Sequence, residues 1–197
     1  MPKVELILAS ASPRRKLLLE QIGLSFKVVP SQMHEPPCED QNPVEYASTL
    51  AILKAREISD QYPASLVIGA DTIVVIGNTV LGKPEDAESA RQMLALLSGR
   101  NHQVVTAYSF LLKEAQIEEV NHVLTQVHFK KLSQVEIEHY IASGAPLDKA
   151  GGYGIQDYSS IFVDRIEGCF YNVVGLPISD FNENLNKLLT KHSLRLK

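Results

Sequence analysis

The chain has 197 residues, 45% hydrophobic and 21% charged, with a formal net charge of -4. That length fits one domain, the composition is ordinary for a folded globular protein rather than a disordered or fibrous one, and the acidic balance argues against a sequence-independent grip on DNA or RNA. A local cluster of Lys and Arg can still hold phosphates inside an acidic chain.

Val4 to Ala9 reads as a short buried strand. Ser12 followed by Pro13 is a helix start, a hydroxyl cap and then proline at the first helical position. Leu17, Leu18, Gln21 and Ile22 continue at helical spacing to Gly23. Ser25 to Pro30 is a second strand, and residues 31–42, rich in proline and charge, form a loop of the kind that often holds binding groups. Asn42-Pro43-Val44-Glu45 opens a helix expected to run to about Asp60. Leu66 to Gly69 is an apolar strand that delivers Ala70-Asp71-Thr72, and Ile73 to Ile76 continues extended to a Gly77-Asn78 turn.

Pro84 to Leu97 is expected to be helical, ending at Gly99. His102 to Leu112 and Val120 to Phe129 are β-prone and read as antiparallel neighbours. Ser133 with Glu136 has the capping-box pattern and starts a helix to about Ala142. The glycine-rich patch Gly151-Gly152-Tyr153-Gly154 then precedes a strand at Ser160 to Asp164, and a last helix spans Pro177 to Leu189. Alternating strands and helices with some antiparallel pairing imply an α/β class with a mixed sheet. No internal repeat or linker breaks residues 1–197, which are read as one domain.

LILASAS near the start resembles a signal-peptide end, but its apolar run is too short and Arg14, Arg15 and Lys16 follow it. No stretch reaches the roughly 18 apolar residues of a membrane span. Neither export nor a membrane partner is therefore expected. Cys38 and Cys169 stand far apart without a metal-binding neighbour and read as free thiols in a reducing cytoplasm. The 6 histidines lack zinc spacing and read as structural or surface groups.

The residues suited to chemistry fall at element junctions. Ser10, Ser12, Arg14 and Arg15 place hydroxyls and guanidinium groups where a strand ends and a helix begins, and a helix N-terminus with arginine beside it suits a phosphate. Asp71 follows four apolar residues, and ligand crevices in open α/β sheets lie beyond such strand ends, so its carboxylate can hold a divalent ion or accept a proton from water. Lys83 adds a cation at another loop-to-helix junction and Lys54 one on a helix. Each of these alone is also compatible with a capping, turn or surface role, and for either lysine alone the surface role is favoured. The glycine-rich run ending in Gln156 permits close backbone approach to a ligand. It is not a dinucleotide fingerprint, since Asp157 occupies the last glycine position, and no P-loop exists.

SASPRR, Glu35 in the following loop, LAILKARE, GADTIVV, LGKPEDAESARQML, LSGRNHQVVTA, LDKAGGYGIQ and NVVGLP occur in the order seen in Maf proteins, the nucleoside triphosphate pyrophosphatases, and the chain resembles that family over nearly its whole length. The resemblance implies a Maf/ITPase-like α/β fold, a mixed twisted sheet with flanking helices forming two lobes around a deep groove. It also implies a divalent cation, Mg or Mn, and a catalytic Asp at Asp71. Ser10, Arg14, Arg15, Glu35, Lys54, Lys83 and Gln156 match further family positions.

GADT and DKAGGYGIQ look like the branch acting on dTTP and UTP, whose specificity positions fall on Arg14, Thr72 and Gln156. Asp157 departs from the glycine usual after that Gln. Hydrolysis at the α-phosphorus needs charge neutralisation, assigned to Arg14, Arg15, Lys54, Lys83 and metal, and water activation, assigned to Asp71 with Glu35 as a second carboxylate at the ion. Pyrophosphatase action on a modified purine nucleotide such as methylated GTP, and a non-catalytic nucleotide-binding role in cell division or septum formation, stay open as alternatives. A homodimer is compatible with all three.

Overall fold

The computed structural model describes residues 1–38 and 42–197; residues 39–41, part of the loop expected over 31–42, lie outside the described residues. In chain order the elements are β1 (Lys3–Val4), β2 (Leu6–Leu8), α1 (Pro13–Gln21), β3 (Lys27–Val28), α2 (Pro43–Gln61), β4 (Leu66–Ile76), β5 (Thr79–Leu81) and α3 (Ala87–Leu97). They continue with β6 (Asn101–Leu112), β7 (Ile117–Phe129), α4 (Gln134–Ala142), β8 (Val163–Glu167), α5 (Phe170–Val174), α6 (Ile178–Lys191) and β9 (Arg195–Leu196). The main sheet orders its strands β3-β2-β4-β6-β7-β8 with β5 on β4, while β1 pairs with β9. Strand β2 is parallel to β3 and β4, whereas β4–β5 and β7–β8 are antiparallel, so the sheet is mixed as expected.

The chain divides into two compact units: Met1–Asp71 with Thr106–His122 and Gly175–Lys197, and Thr72–Val105 with Val123–Val174. In the first, β2 and the start of β4 are buried along their whole length, because parallel strands covered on both faces need continuous apolar runs. Ile7, Ala9, Val67, Leu111, Ala55 and Ile58 form one core cluster. Tyr108, Phe110 and Phe181 form another contact group, and the Tyr108 hydroxyl donates to Asp180 at 2.6 Å. In the second unit the core gathers Val74, Leu94, Leu97, Val104, Val127, Phe129, Tyr140, Tyr153 and Phe162.

Capping chemistry places the helices. Ser12 accepts from the Arg15 amide and Asn42 from the Val44 amide, each with proline in the first turn, and Ser133 with Glu136 forms the expected capping box. Other boundaries move for local reasons. The first strand breaks at Glu5, and the second shortens to Lys27–Val28, both exposed. The helix expected from Pro84 starts at Ala87, because Asp86 caps it in a box with Ser89. The strand expected from Ser160 starts at Val163, because residues 158–162 form a 3-10 turn capped by Asp157. On α1 the buried residues are Arg15, Leu18 and Leu19, while Leu17 is 63% exposed against expectation. Helix α5 was not anticipated.

Candidate active site

The N-terminus of α1 is built around a buried guanidinium. Arg15 Nη1 donates to Ser10 Oγ at 3.1 Å, and Nε donates to the Gly175 carbonyl at 2.9 Å. Ser10 Oγ also accepts from the Ser12 amide at 3.2 Å. Burial pulls the Arg15 pKa below its ordinary value, against an opposing pull from the Asp71 and Glu35 carboxylates, which lie within electrostatic reach of the helix start. Arg14, half-buried beside it, contributes a second positive charge that adds to the downward shift.

Asp71 does not stand beyond a strand end, as expected; it lies inside the 11-residue β4, buried, with 7% of its surface exposed. The parallel part of β4 ends near Ile68, whose carbonyl accepts from Ala9, so Asp71 follows the end of that ladder rather than of the strand. Lys54 Nζ lies 2.6 Å from Asp71 Oδ1 and 2.6 Å from Glu35 Oε1. One ammonium thus bridges two carboxylates from a strand and a loop. The bridge depends on how closely α2 lies against β4. A Cβ at Gly69 would sit 2.0 Å from the Ala51 carbonyl oxygen and 2.8 Å from Ala55 Cβ. Alternation along a strand puts Gly69 and Asp71 on the same face, so the missing side chain at one lets α2 deliver Lys54 to the other.

Glu35 is about half exposed. The Tyr46 hydroxyl donates to the neighbouring Pro36 carbonyl at 2.8 Å. Burial raises the Tyr46 pKa, and the negative field of Glu35, Cys38 and Asp71 adds to it. Among the described residues no group of three or more His, Cys, Asp or Glu converges. Hard divalent cations are commonly held by one or two carboxylates, with water and substrate phosphate oxygens completing the set, and two carboxylates already converging on one positive charge fit that donor set.

Thr72, Lys83 and Gln156 belong to the second unit. Thr72 is half-buried on β4. Lys83 was expected at a loop-to-helix junction, but α3 starts only at Ala87; Lys83 is exposed in the segment between β5 and α3 and forms no ion pair among the described residues. The Gly151 amide donates to the Gly82 carbonyl at 2.9 Å, which ties the glycine-rich turn to the Lys83 segment. Gly151 and Gly152 have φ of 67° and 72°, and a Cβ on Gly151 would meet Val74 at 3.0 Å. Tyr153 is buried, its hydroxyl 2.7 Å from His102 Nε2. Gln156 is exposed just beyond this turn. Asp157 has a local reason to replace glycine: it accepts from the Ser159 amide at 3.0 Å and pairs with Lys149 at 3.2 Å.

The profile of the Maf family, described as Maf-like protein, matches residues 5–188. The chain belongs to the Maf family. Two curated Maf relatives are each named dTTP/UTP pyrophosphatase. That of Desulfotalea psychrophila is 44% identical over 180 residues, 91% of this chain and 92% of its own. That of Geobacillus sp. strain WCH70 is 48% identical over 175 residues, 89% and 93%. Among solved structures a HAM1 protein from Coxiella burnetii has a TM-score of 0.52 at 17% identity, over 93% of this chain and 99% of its own, which marks a shared fold.

The expectations from sequence omitted several Maf-chain residues that shape this site. Gly69 carried a readable signal, its i, i+2 relation to Asp71; Tyr46 and Lys54 share a helical stripe. The Gly175 carbonyl had none, because a backbone acceptor leaves no trace in residue type. Cys38 and Cys169 are free, as expected. No helix among the described residues is long and apolar enough to cross a membrane.

Proposed function

We propose that residues 1–197 act as one catalytic domain that hydrolyses dTTP and UTP to the nucleoside monophosphate and pyrophosphate, with a divalent cation, Mg or Mn. The observation that carries this reading is the Lys54 ammonium shared at 2.6 Å by Asp71 and Glu35, within electrostatic reach of Arg15 at the start of α1. The names of relatives at 44% and 48% identity supply the substrates.

In the reaction a water oxygen bonds to the α-phosphorus, the bond from that phosphorus to the bridging oxygen breaks, and pyrophosphate leaves. Asp71 orients the water and takes its proton. Asp71 and Glu35 would hold the cation, which when bound supplies charge neutralisation and acidifies coordinated water. Lys54 keeps the two carboxylates convergent before substrate arrives. Ser10, Arg14 and Arg15, at the positive N-terminal end of α1, face the triphosphate, where preorganised donors stabilise developing charge. Lys83 adds a further positive charge, and base preference depends on Arg14, Thr72 and Gln156. A cytoplasmic location and a free nucleotide, rather than a nucleic acid polymer or membrane, go with this reading; the net charge of -4 supports it.

Pyrophosphate release from a panel of canonical triphosphates and methylated GTP, with and without Mg or Mn, tests the reading. Turnover should require the cation, favour dTTP and UTP over CTP by about tenfold, and fall more than about 100-fold in Asp71→Asn. Purine nucleotides as the best substrates would overturn the base assignment. Absence of turnover on every substrate would overturn the enzymatic one.

A further inference from the structure

Glu35 lies on the loop before α2, where a side chain stays in place only if the loop does. Helix α2 itself ties this segment down on both sides of Glu35. Ahead of it, Glu57 Oε2 accepts from the Ser31 hydroxyl, from the Gln32 amide at 2.9 Å and from the Met33 amide at 3.1 Å. Behind it, the Tyr46 hydroxyl donates to the Pro36 carbonyl at 2.8 Å. Pro36 also confines the backbone of Glu35 to extended conformations. Tyr46, Leu50, Lys54 and Glu57 recur every three or four residues, so they form one stripe of α2. The helix face that presents the Lys54 ammonium therefore also anchors the segment carrying its carboxylate partner.

We infer that Glu57 and Tyr46 are positioning residues that hold Glu35 at the cation site, a reading that rests on Glu35 being a ligand in the proposed function. Neither residue needs to touch cation or nucleotide. Three donors on one carboxylate oxygen form a charge-assisted cluster, and its loss releases the Gln32 amide and the Ser31 hydroxyl, leaves the Met33 amide only its bond to Ser31 Oγ at 3.2 Å, and loosens the segment. Glu35 then occupies the site for only a fraction of the time, and cation affinity falls by that fraction.

The test is a double-mutant cycle read by Mn2+ binding, with free Mn2+ followed by electron paramagnetic resonance in the absence of nucleotide. Glu57→Ala should weaken Mn2+ binding about tenfold or more and Tyr46→Phe about fivefold, the sizes of a charged and a neutral hydrogen-bond loss. On a Glu35→Gln background the same changes should move Mn2+ binding by less than about twofold, because the residue being positioned is no longer a ligand. Hydrogen exchange at the Gln32 and Met33 amides should quicken in Glu57→Ala while β4 keeps its protection.

Equal weakening on both backgrounds, no weakening on either, or a wild type that binds no Mn2+ overturns the inference. If Glu57→Ala loses protection in β4 it has unfolded, and the Tyr46→Phe cycle then decides. Coupled Mn2+ binding in a protein that hydrolyses neither dTTP nor UTP would overturn the substrate reading and leave the positioning of Glu35 standing.

Discussion

Gly69→Ala is the most incisive perturbation of the site, because it adds one methyl group at a place where the neighbour is backbone. The new Cβ would lie 2.0 Å from the Ala51 carbonyl oxygen and 2.8 Å from the Ala55 amide nitrogen and Cβ. Carbon–oxygen contacts settle near about 3.3 Å or more, so α2 and β4 must separate locally by roughly 1 Å. Overpacking of this kind costs typically about 1–3 kcal/mol, and a rigid carbonyl partner puts this case at the upper end. For a chain of this size about 3 kcal/mol lowers Tm by roughly 6–12 °C, which a protein stable by about 5–15 kcal/mol survives at 25 °C. A shift near 1 Å would also carry Lys54 Nζ from 2.6 Å to beyond good hydrogen-bond distance of Asp71. Turnover of dTTP should then fall more than about tenfold in the folded variant, since small misplacements of a site cost up to about 100-fold. Urea unfolding and pyrophosphate release measure the two effects. Adding Ala55→Gly relieves the Cβ contact but not the Ala51 carbonyl, so it should not restore activity. A Gly69→Ala protein with wild-type Tm and turnover, or full rescue by Ala55→Gly, would refute the close-approach argument.

Three further outcomes follow from separate features. Lys83→Ala should lower kcat/KM for dTTP about tenfold with stability unchanged within about 0.5 kcal/mol, because Lys83 is exposed and forms no ion pair among the described residues. Early melting of the variant would assign Lys83 a structural role. Gln156→Glu should compress the preference for dTTP and UTP over CTP, since the lost N–H donor no longer answers a base carbonyl; an unchanged ranking removes Gln156 from base recognition. Burial holds the His102 pKa down to about 4, from an ordinary 6.5, with the nearby charge of His128 adding to it. The folded state thus binds fewer protons than the unfolded one. The stability this contributes is full above pH 6.5 and is lost as pH falls toward 4, by up to about 3 kcal/mol. Urea unfolding at pH 4 and pH 7 should show a smaller acid loss in His102→Gln than in wild type, and equal losses would refute the assignment.

Much of this protein is legible in its residues because the signals are local. Ser12-Pro13, Asn42-Pro43 and Ser133 with Glu136 mark helix starts that the structure keeps, since a cap satisfies amides within its own turn. The run Leu66 to Ile76 is apolar enough to demand burial on both faces. The ordered strings from SASPRR to NVVGLP carried the family. Other features needed the folded chain. Asp86, one of several polar residues after Lys83, took the cap of α3 through its pairing with Ser89, and Asp157 turned residues 158–162 away from β8.

At the site, residue types nominated Asp71 and Lys54 and the family resemblance added Glu35, but 17 and 19 positions of chain separate Lys54 from the two carboxylates. Only tertiary packing decided that one ammonium meets both, because that depends on the space left at Gly69 and on the anchoring of the Glu35 segment by Tyr46 and Glu57. Ser10 and Arg15 likewise suggested a phosphate site from composition, whereas the burial of Arg15 against the Gly175 carbonyl joins positions 160 residues apart. Short-range chemistry is written in neighbouring residue types; convergence of distant groups depends on excluded volume and backbone acceptors, which sequence positions do not reveal one at a time.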